Sequence, residues 1–148
     1  MFRLTQLMRD VIEPSPLKKT GRKPVAPVVI WNLLRRCNLL CKHCYTTSAN
    51  RDFPGELSTP EILNVLNDLK VFGVPFIIFS GGEPLLHPDI FTISEIAKNK
   101  GFQIALSSNG TQITSSNIEA IAKIAYAYVG VSLDGLDASH DAFRRVLG

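Results

Sequence analysis

From residue 27 onward, short β-branched apolar runs alternate with longer stretches of helical periodicity. Val28, Val29, Ile30, Trp31 and Leu33 make residues 28–33 a first strand. Its near-continuous hydrophobicity is typical of strands covered on both faces. Thr59, Pro60 and Glu61 open a helix with a capping hydroxyl, an N-terminal proline and an acid in the first turn. Ile62, Leu66 and Leu69 mark its buried stripe, and Gly73 closes it. Residues 76–79 form a second strand, and 88–100 a helix that turns Ile93, Ile96 and Ala97 inward before Gly101. A third strand is expected at 103–107, a helix at 116–127 burying Ile118, Ile121, Ala122 and Ile124, a fourth strand at 128–133 and a helix from 138 to 147. Strand–helix alternation at this spacing predicts an α/β fold of right-handed βαβ units around a parallel sheet.

Every strand runs directly into a polar or glycine-rich cluster. Cys37, Cys41 and Cys44 follow the first, and Ser80, Gly81, Gly82, Glu83 and Pro84 the second. Ser108, Asn109, Gly110 and Thr111 follow the third, and Asp134 and Gly135 the fourth. In parallel α/β folds the carboxyl ends of the strands share one edge, and ligands bind there. Four clusters far apart in sequence are therefore expected to converge. Taken singly, the glycine and Ser-Asn-Gly segments also read as ordinary turns, and His43 as a loop residue.

The cysteines carry more information. The chain has only three, spaced C-x-x-x-C-x-x-C within one loop, which is metal-like spacing and no disulfide framework. A structural zinc wants four protein ligands, nominally these three and His43. But His43 adjoins Cys44, and sequence neighbours rarely both reach one tetrahedral ion. An iron–sulfur cluster with three cysteine-ligated irons and one open iron fits better.

Composition narrows the setting. At 148 residues, 45% hydrophobic and 20% charged, the chain is one domain's worth of ordinary globular protein. A net charge of +3 is too small to imply nucleic acid. No apolar run approaches the ~20 residues of a membrane span, and Arg3, Arg9 and Asp10 interrupt any signal-peptide pattern. The expected setting is the reducing cytoplasm, without a membrane partner. Residues 1–26 read as a leader, first amphipathic (Phe2, Leu4, Leu7, Met8, Val11, Ile12), then an arm rich in proline and lysine. Residues 27–148 are expected to be the core domain.

On Cys37, Cys41 and Cys44 followed by Gly81, Gly82, Glu83 and Pro84, the chain resembles the radical S-adenosylmethionine (radical SAM) superfamily. That signature is C-x₃-C-x-Φ-C with Φ usually aromatic; His43 stands at Φ here. Residues 1–14, 27–39, 53–58 and 106–111 resemble the haem d1 biosynthesis (NirJ) branch, with other haem-synthesis enzymes acting on sirohaem derivatives as near alternatives. The resemblance implies a [4Fe–4S] cluster on the three cysteines and SAM chelating the open iron. Gly81 and Gly82 would let the backbone approach, Glu83 would accept from the SAM amino group, and Pro84 would fix the turn. Backbone near His43 would meet the adenine. Ser108, Asn109, Ser132 and Asp134 would contact SAM, and Arg144 would pair with its carboxylate, unless Arg144 is simply a solvated helix residue.

The implied reaction is reductive cleavage of SAM to a 5′-deoxyadenosyl radical that acts on a sirohaem-derived tetrapyrrole, removing propionate groups from didecarboxysirohaem. An electron donor such as ferredoxin or flavodoxin is implied with it. The family's partial (βα)₆ TIM-like barrel has six units, and about four are legible here. The resemblance therefore implies the N-terminal portion of such a barrel, incomplete at its C-terminus, that holds a cluster but alone cleaves SAM poorly. A peptide maturase of the same superfamily is the enzymatic rival. An inactive cluster-binding fragment, or an electron-carrying module that uses His43, is the non-enzymatic one.

Overall fold

The computed structural model describes residues 27–147. The expectations for residues 1–26 lie outside that range. The elements run β1 (Val29–Asn32), α1 (Thr59–Phe72), β2 (Phe76–Ser80), a 3₁₀ turn (Pro84–Leu86), α2 (Ile90–Asn99), β3 (Gln103–Ser108), α3 (Ile118–Ile124), β4 (Val129–Val131) and α4 (Asp137–Arg144). The four strands pair in parallel in the order β1-β2-β3-β4. Because right-handed crossovers follow a monotonic strand order, successive helices fall on the same face, as in a winding barrel.

That face holds the core. Ile77 and Phe79 of β2 and Ile104 and Leu106 of β3 meet Ile62 and Leu66 of α1, Ile90, Ile93 and Ala97 of α2, and Ile124 of α3. The four strand residues among them are all 0–2% exposed, and burying one such side chain contributes about 1.5–3 kcal/mol. Helix termini are fixed locally. The backbone N–H and hydroxyl of Ser58 both donate to the Glu61 carboxylate, at 2.8 and 2.6 Å. The capping hydroxyl at this end is thus Ser58, one residue earlier than expected, and Thr59 instead donates to Asp89 at 2.5 Å. Gly73 ends α1 at φ 83°, and Lys98 of α2 donates to the terminal carbonyls of α3, Ile124 and Ala125.

The opposite face differs from expectation. Val28 and Ile30 are 55% and 66% exposed, although the first strand reads as covered on both sides. Ile30 lies in register with Ile78 and, through it, Ala105, on the concave side where no helix among the described residues packs. Helix α3 is also shorter than expected, ending when Ala125 turns left-handed. Ile121 and Ile124 are buried, whereas Ile118, the first residue of the helix, and Ala122 are exposed.

The strand ends are locked together by close backbone contact. Gly82 N–H donates to Leu34 O at 2.8 Å and Glu83 N–H to Arg36 O at 2.9 Å. A β-carbon on Gly82 would lie 2.2 Å from the Arg36 carbonyl oxygen, so this glycine is required for space. Gly55 contrasts with it, having φ +79° and nothing within 4 Å of a built β-carbon. Gly82→Ala is expected to lose roughly 3 kcal/mol or more of stability, and Gly55→Ala about 1–2 kcal/mol from left-handed strain alone. Chemical denaturation of the two variants measures the difference.

Candidate cluster and SAM site

One cavity of about 160 Å³ sits at the carboxyl edge of the sheet. The β1–α1 loop lines it with Cys37, Cys41, His43 and Cys44. Strand β2 and the turn after it give Ser80, Gly81 and Gly82, β3 and its exit give Ser107, Ser108 and Asn109, the segment after β4 gives Ser132, and α4 gives Arg144. Members of the first three expected clusters line the cavity together, whereas Glu83, Pro84, Gly110, Thr111, Asp134 and Gly135 lie off its wall; Asp134 borders it through contacts with Arg144 and His43. Ser80, expected with its cluster, lines the cavity too, and so do Ser107, Leu39, Tyr45 and Thr46, which were missed from sequence. Ser107 was legible in part, as a polar residue at the end of an otherwise apolar strand.

The cysteine loop is held from both sides. Its return limb pairs with its outgoing limb at Arg36 and Ala49, where Cys37 N–H donates to Ala49 O at 3.1 Å. Arg36 reaches Asp52 at 3.1 Å and Asn50 at 3.3 Å. Arg35 and Arg51 flank the buried Phe53 ring at 4.2 and 4.4 Å, a cation–π arrangement on both faces.

Glu83 anchors the inner side. It is 0% exposed and lies behind the cavity wall. Its Oε1 accepts from Ser108 Oγ at 2.9 Å and Leu85 N at 3.1 Å, and its Oε2 from Asn109 N at 2.7 Å. Burial raises its pKa, opposed by the Asn109, Leu85 and Ser108 hydrogen bonds. Asn109 continues the chain. Its side-chain nitrogen donates to Asn38 Oδ1 at 3.1 Å and faces Cys37 Sγ at 3.7 Å, while its oxygen accepts from Thr111. Thr111 in turn accepts from Asn38 at 2.8 Å. The carboxylate thus fixes the β3 loop, and the β3 loop latches the first cysteine.

The outer side is closed by α4. Lys42 N–H donates to Phe143 O at 3.0 Å, and the His43 and Phe143 rings lie 4.6 Å apart. Arg144 is 8% exposed, so it is no solvated helix residue. Its Nε lies 2.5 Å from Asp134 Oδ2, and its Nη1 donates to Cys41 Sγ at 3.3 Å. The Nε–H does not point along the Asp134 contact, which is ionic in character. Asp134 also lies 3.8 Å from His43 Nε2. Pro84 is buried beneath the site in the 3₁₀ turn rather than on the cavity wall.

All three cysteines are free thiols, Cys37 buried, Cys41 intermediate and Cys44 exposed. Among the described residues no three His, Cys, Asp or Glu side chains converge on a single-ion geometry. Three thiols spread around one cavity suit a cluster, whose irons are separate, better than one tetrahedral zinc. Burial pushes the Cys37 thiol up, with the Glu83 charge adding to it. Burial also raises Cys44, but contacts with Thr46 and Ser48 outweigh it and bring that thiol below its ordinary value.

A parallel α/β sheet whose strand ends gather three thiols and a glycine-rich turn in one cavity defines a cluster-dependent enzyme class. The chain belongs to the radical SAM superfamily, whose family model matches residues 31–148. That family uses a [4Fe–4S] cluster and SAM, and the donor set here fits them. Among relatives, the pre-heme d1 synthase of Dinoroseobacter shibae is 48% identical over 148 residues, 100% of this chain and 36% of that protein. The Fe-coproporphyrin III synthase of Methanosarcina barkeri is 38% identical over 161 residues, covering 100% of this chain and 40% of its own. The mycofactocin maturase MftC of Mycobacterium tuberculosis is 36% identical over 133 residues, or 88% and 34%. Streptococcus suis SuiB bound to S-adenosylmethionine superposes with a TM-score of 0.68 at 26% identity, covering 81% of this chain and 28% of that one. The chain spans about a third of the length of the curated relatives it matches. Among the described residues no helix is long and apolar enough to cross a membrane.

In the metal-free protein, Cys44 is expected to alkylate first and Cys37 last, by roughly tenfold or more, because thiolate fraction and exposure both favour Cys44. Mass-spectrometric mapping of iodoacetamide adducts over time at neutral pH measures the order.

Proposed function

We propose that this chain is the cluster- and SAM-binding part of an enzyme of haem d1 biosynthesis, acting on a sirohaem-derived tetrapyrrole by removing propionate groups from didecarboxysirohaem. The observation that carries the reading is the gathering of Cys37, Cys41 and Cys44 with the ends of all four strands in one cavity. Identity of 48% along the whole chain to a pre-heme d1 synthase supports the tetrapyrrole assignment. When bound, the reduced cluster and SAM supply a 5′-deoxyadenosyl radical; such cofactors carry the hard chemistry and the protein orients them.

In this reading Cys37, Cys41 and Cys44 hold the cluster. The Gly81–Gly82 backbone faces SAM, while the glycines owe their identity to the approach of the Leu34–Arg36 backbone. Glu83, expected from the resemblance to accept from the SAM amino group, has both carboxylate oxygens engaged within the chain, and we assign it to holding the Asn109 loop instead. Ser108 is likewise turned to Glu83, which leaves Ser80, Ser107 and Ser132 as the hydroxyls that the sheet edge offers to SAM, beside Tyr45 and Thr46 of the cysteine loop. Arg144 stands near enough to the cysteine loop to serve the SAM carboxylate, with Asp134 steadying it. His43, stacked on Phe143, offers its backbone to the adenine. Residues 27–148 form the core domain in this reading, with residues 1–26 as an arm. A one-electron carrier such as ferredoxin or flavodoxin supplies the electron in this reading, and the setting is the cytoplasm.

A second reading keeps the chemistry and changes the substrate. The maturase relative matches the same segment at 36% identity, so likeness over this segment is shared by proteins whose names imply different substrates.

The test is anaerobic turnover of the chain, alone and extended to the length of its relatives, with dithionite, SAM and didecarboxysirohaem. Loss of propionate mass from the tetrapyrrole, coupled to 5′-deoxyadenosine in the extended protein, supports the proposal. Cleavage of SAM with an unaltered tetrapyrrole moves the assignment to another substrate. His43→Ala is expected to retain its iron, as measured by metal analysis; loss of metal there favours a non-enzymatic Cys₃His module.

A further inference from the structure

We propose that Arg144 poises the cluster's reduction potential from outside the ligand set, acting through the sulfur of Cys41. The inference rests on the assignment of Cys41 as a cluster ligand. It adds to Arg144 a role that does not involve SAM.

The geometry fixes Arg144 against the sulfur from both chain directions. Lys42 N–H donates to Phe143 O at 3.0 Å; these two residues immediately follow Cys41 and precede Arg144. The neighbouring His43 and Phe143 rings pack at 4.6 Å. One backbone hydrogen bond and one ring contact therefore set the register of α4 on the cysteine loop, and the Nη1–Sγ distance of 3.3 Å follows. Arg144 is the last residue of α4, where the helix dipole favours a cation. It is 8% exposed, so solvent screens its charge little. Asp134, at 2.5 Å from Nε with no hydrogen bond along the contact, offsets part of its charge, while the Lys42–Phe143 and His43–Phe143 contacts keep the guanidinium in position without it.

One-electron reduction adds a negative charge to a cluster. Potentials respond to net charge and to hydrogen bonds on the sulfurs. A buried guanidinium that donates to a ligand sulfur stabilises the reduced form and raises the potential. Removing it should shift the potential to more negative values, and removing the Asp134 charge should shift it the other way. A merely structural role for the pair gives no reason for opposite signs.

The experiment measures the cluster's midpoint potential, by EPR-monitored titration without SAM, in the anaerobically reconstituted wild-type protein and in Arg144→Met, Arg144→Lys and Asp134→Asn. Expected are a negative shift for Arg144→Met, a smaller one for Arg144→Lys and a positive shift for Asp134→Asn. An Arg144→Met cluster at the wild-type potential, with only SAM affinity changed, overturns the inference and leaves cluster binding intact. Should Arg144→Met fail to hold a cluster, Asp134→Asn decides: an unchanged or negative-shifted potential overturns the inference. A wild-type protein that binds no cluster overturns instead the functional reading beneath it.

Discussion

The contact on which the site depends is the docking of the β2 exit turn against the backbone leaving β1. Two hydrogen bonds, Gly82 N–H to Leu34 O and Glu83 N–H to Arg36 O, bring the turn so close that no side chain fits at Gly82. From there a buried carboxylate extends the order. Glu83 takes the Ser108 hydroxyl and the Asn109 amide, and Asn109 reaches Cys37 and Asn38. An unpaired buried carboxylate would be costly, so its three internal donors make the arrangement all-or-none. Three strand ends are thereby tied into one body before any cofactor is considered.

The cysteine loop lies between this inner anchor and an outer clamp. Inside, the latch acts on Cys37, which is buried and has a raised pKa. Outside, α4 grips Lys42 and His43 and lays Arg144 on Cys41. Cys44 is left the most open of the three, its thiol lowered by Thr46 and Ser48. The three cysteines are thus unequal in burial, charge environment and reactivity before they bind anything. That inequality is consistent with a site in which the chain grips one side and leaves the other for a second ligand.

Much of this was legible in the sequence, because strand periodicity and glycine punctuation are local signals. The parallel α/β class and the convergence of the cysteines with Gly81, Gly82, Ser108 and Asn109 follow from strand order, while Ser132 and Arg144 entered only through the family resemblance. What was not legible was orientation. The motif Gly81-Gly82-Glu83 reads as a ligand cradle, yet its glycines are shaped by the neighbouring backbone and its acid points inward. From the residues alone Arg144 could also be a solvated helix arginine, since nothing local signals the distant Cys41 and Asp134. The exposure of Ile30 was hidden for the same reason, because a hydrophobic strand does not say which of its faces a helix will cover.

The central claim is that the three cysteines hold a cluster with one iron left for SAM. The direct measurement is the EPR spectrum of the dithionite-reduced, anaerobically reconstituted protein with and without SAM. The account predicts a reduced [4Fe–4S] signal whose g-values shift when SAM is added. A signal unchanged by saturating SAM would contradict it, as would a protein that takes up one zinc in place of iron and sulfide.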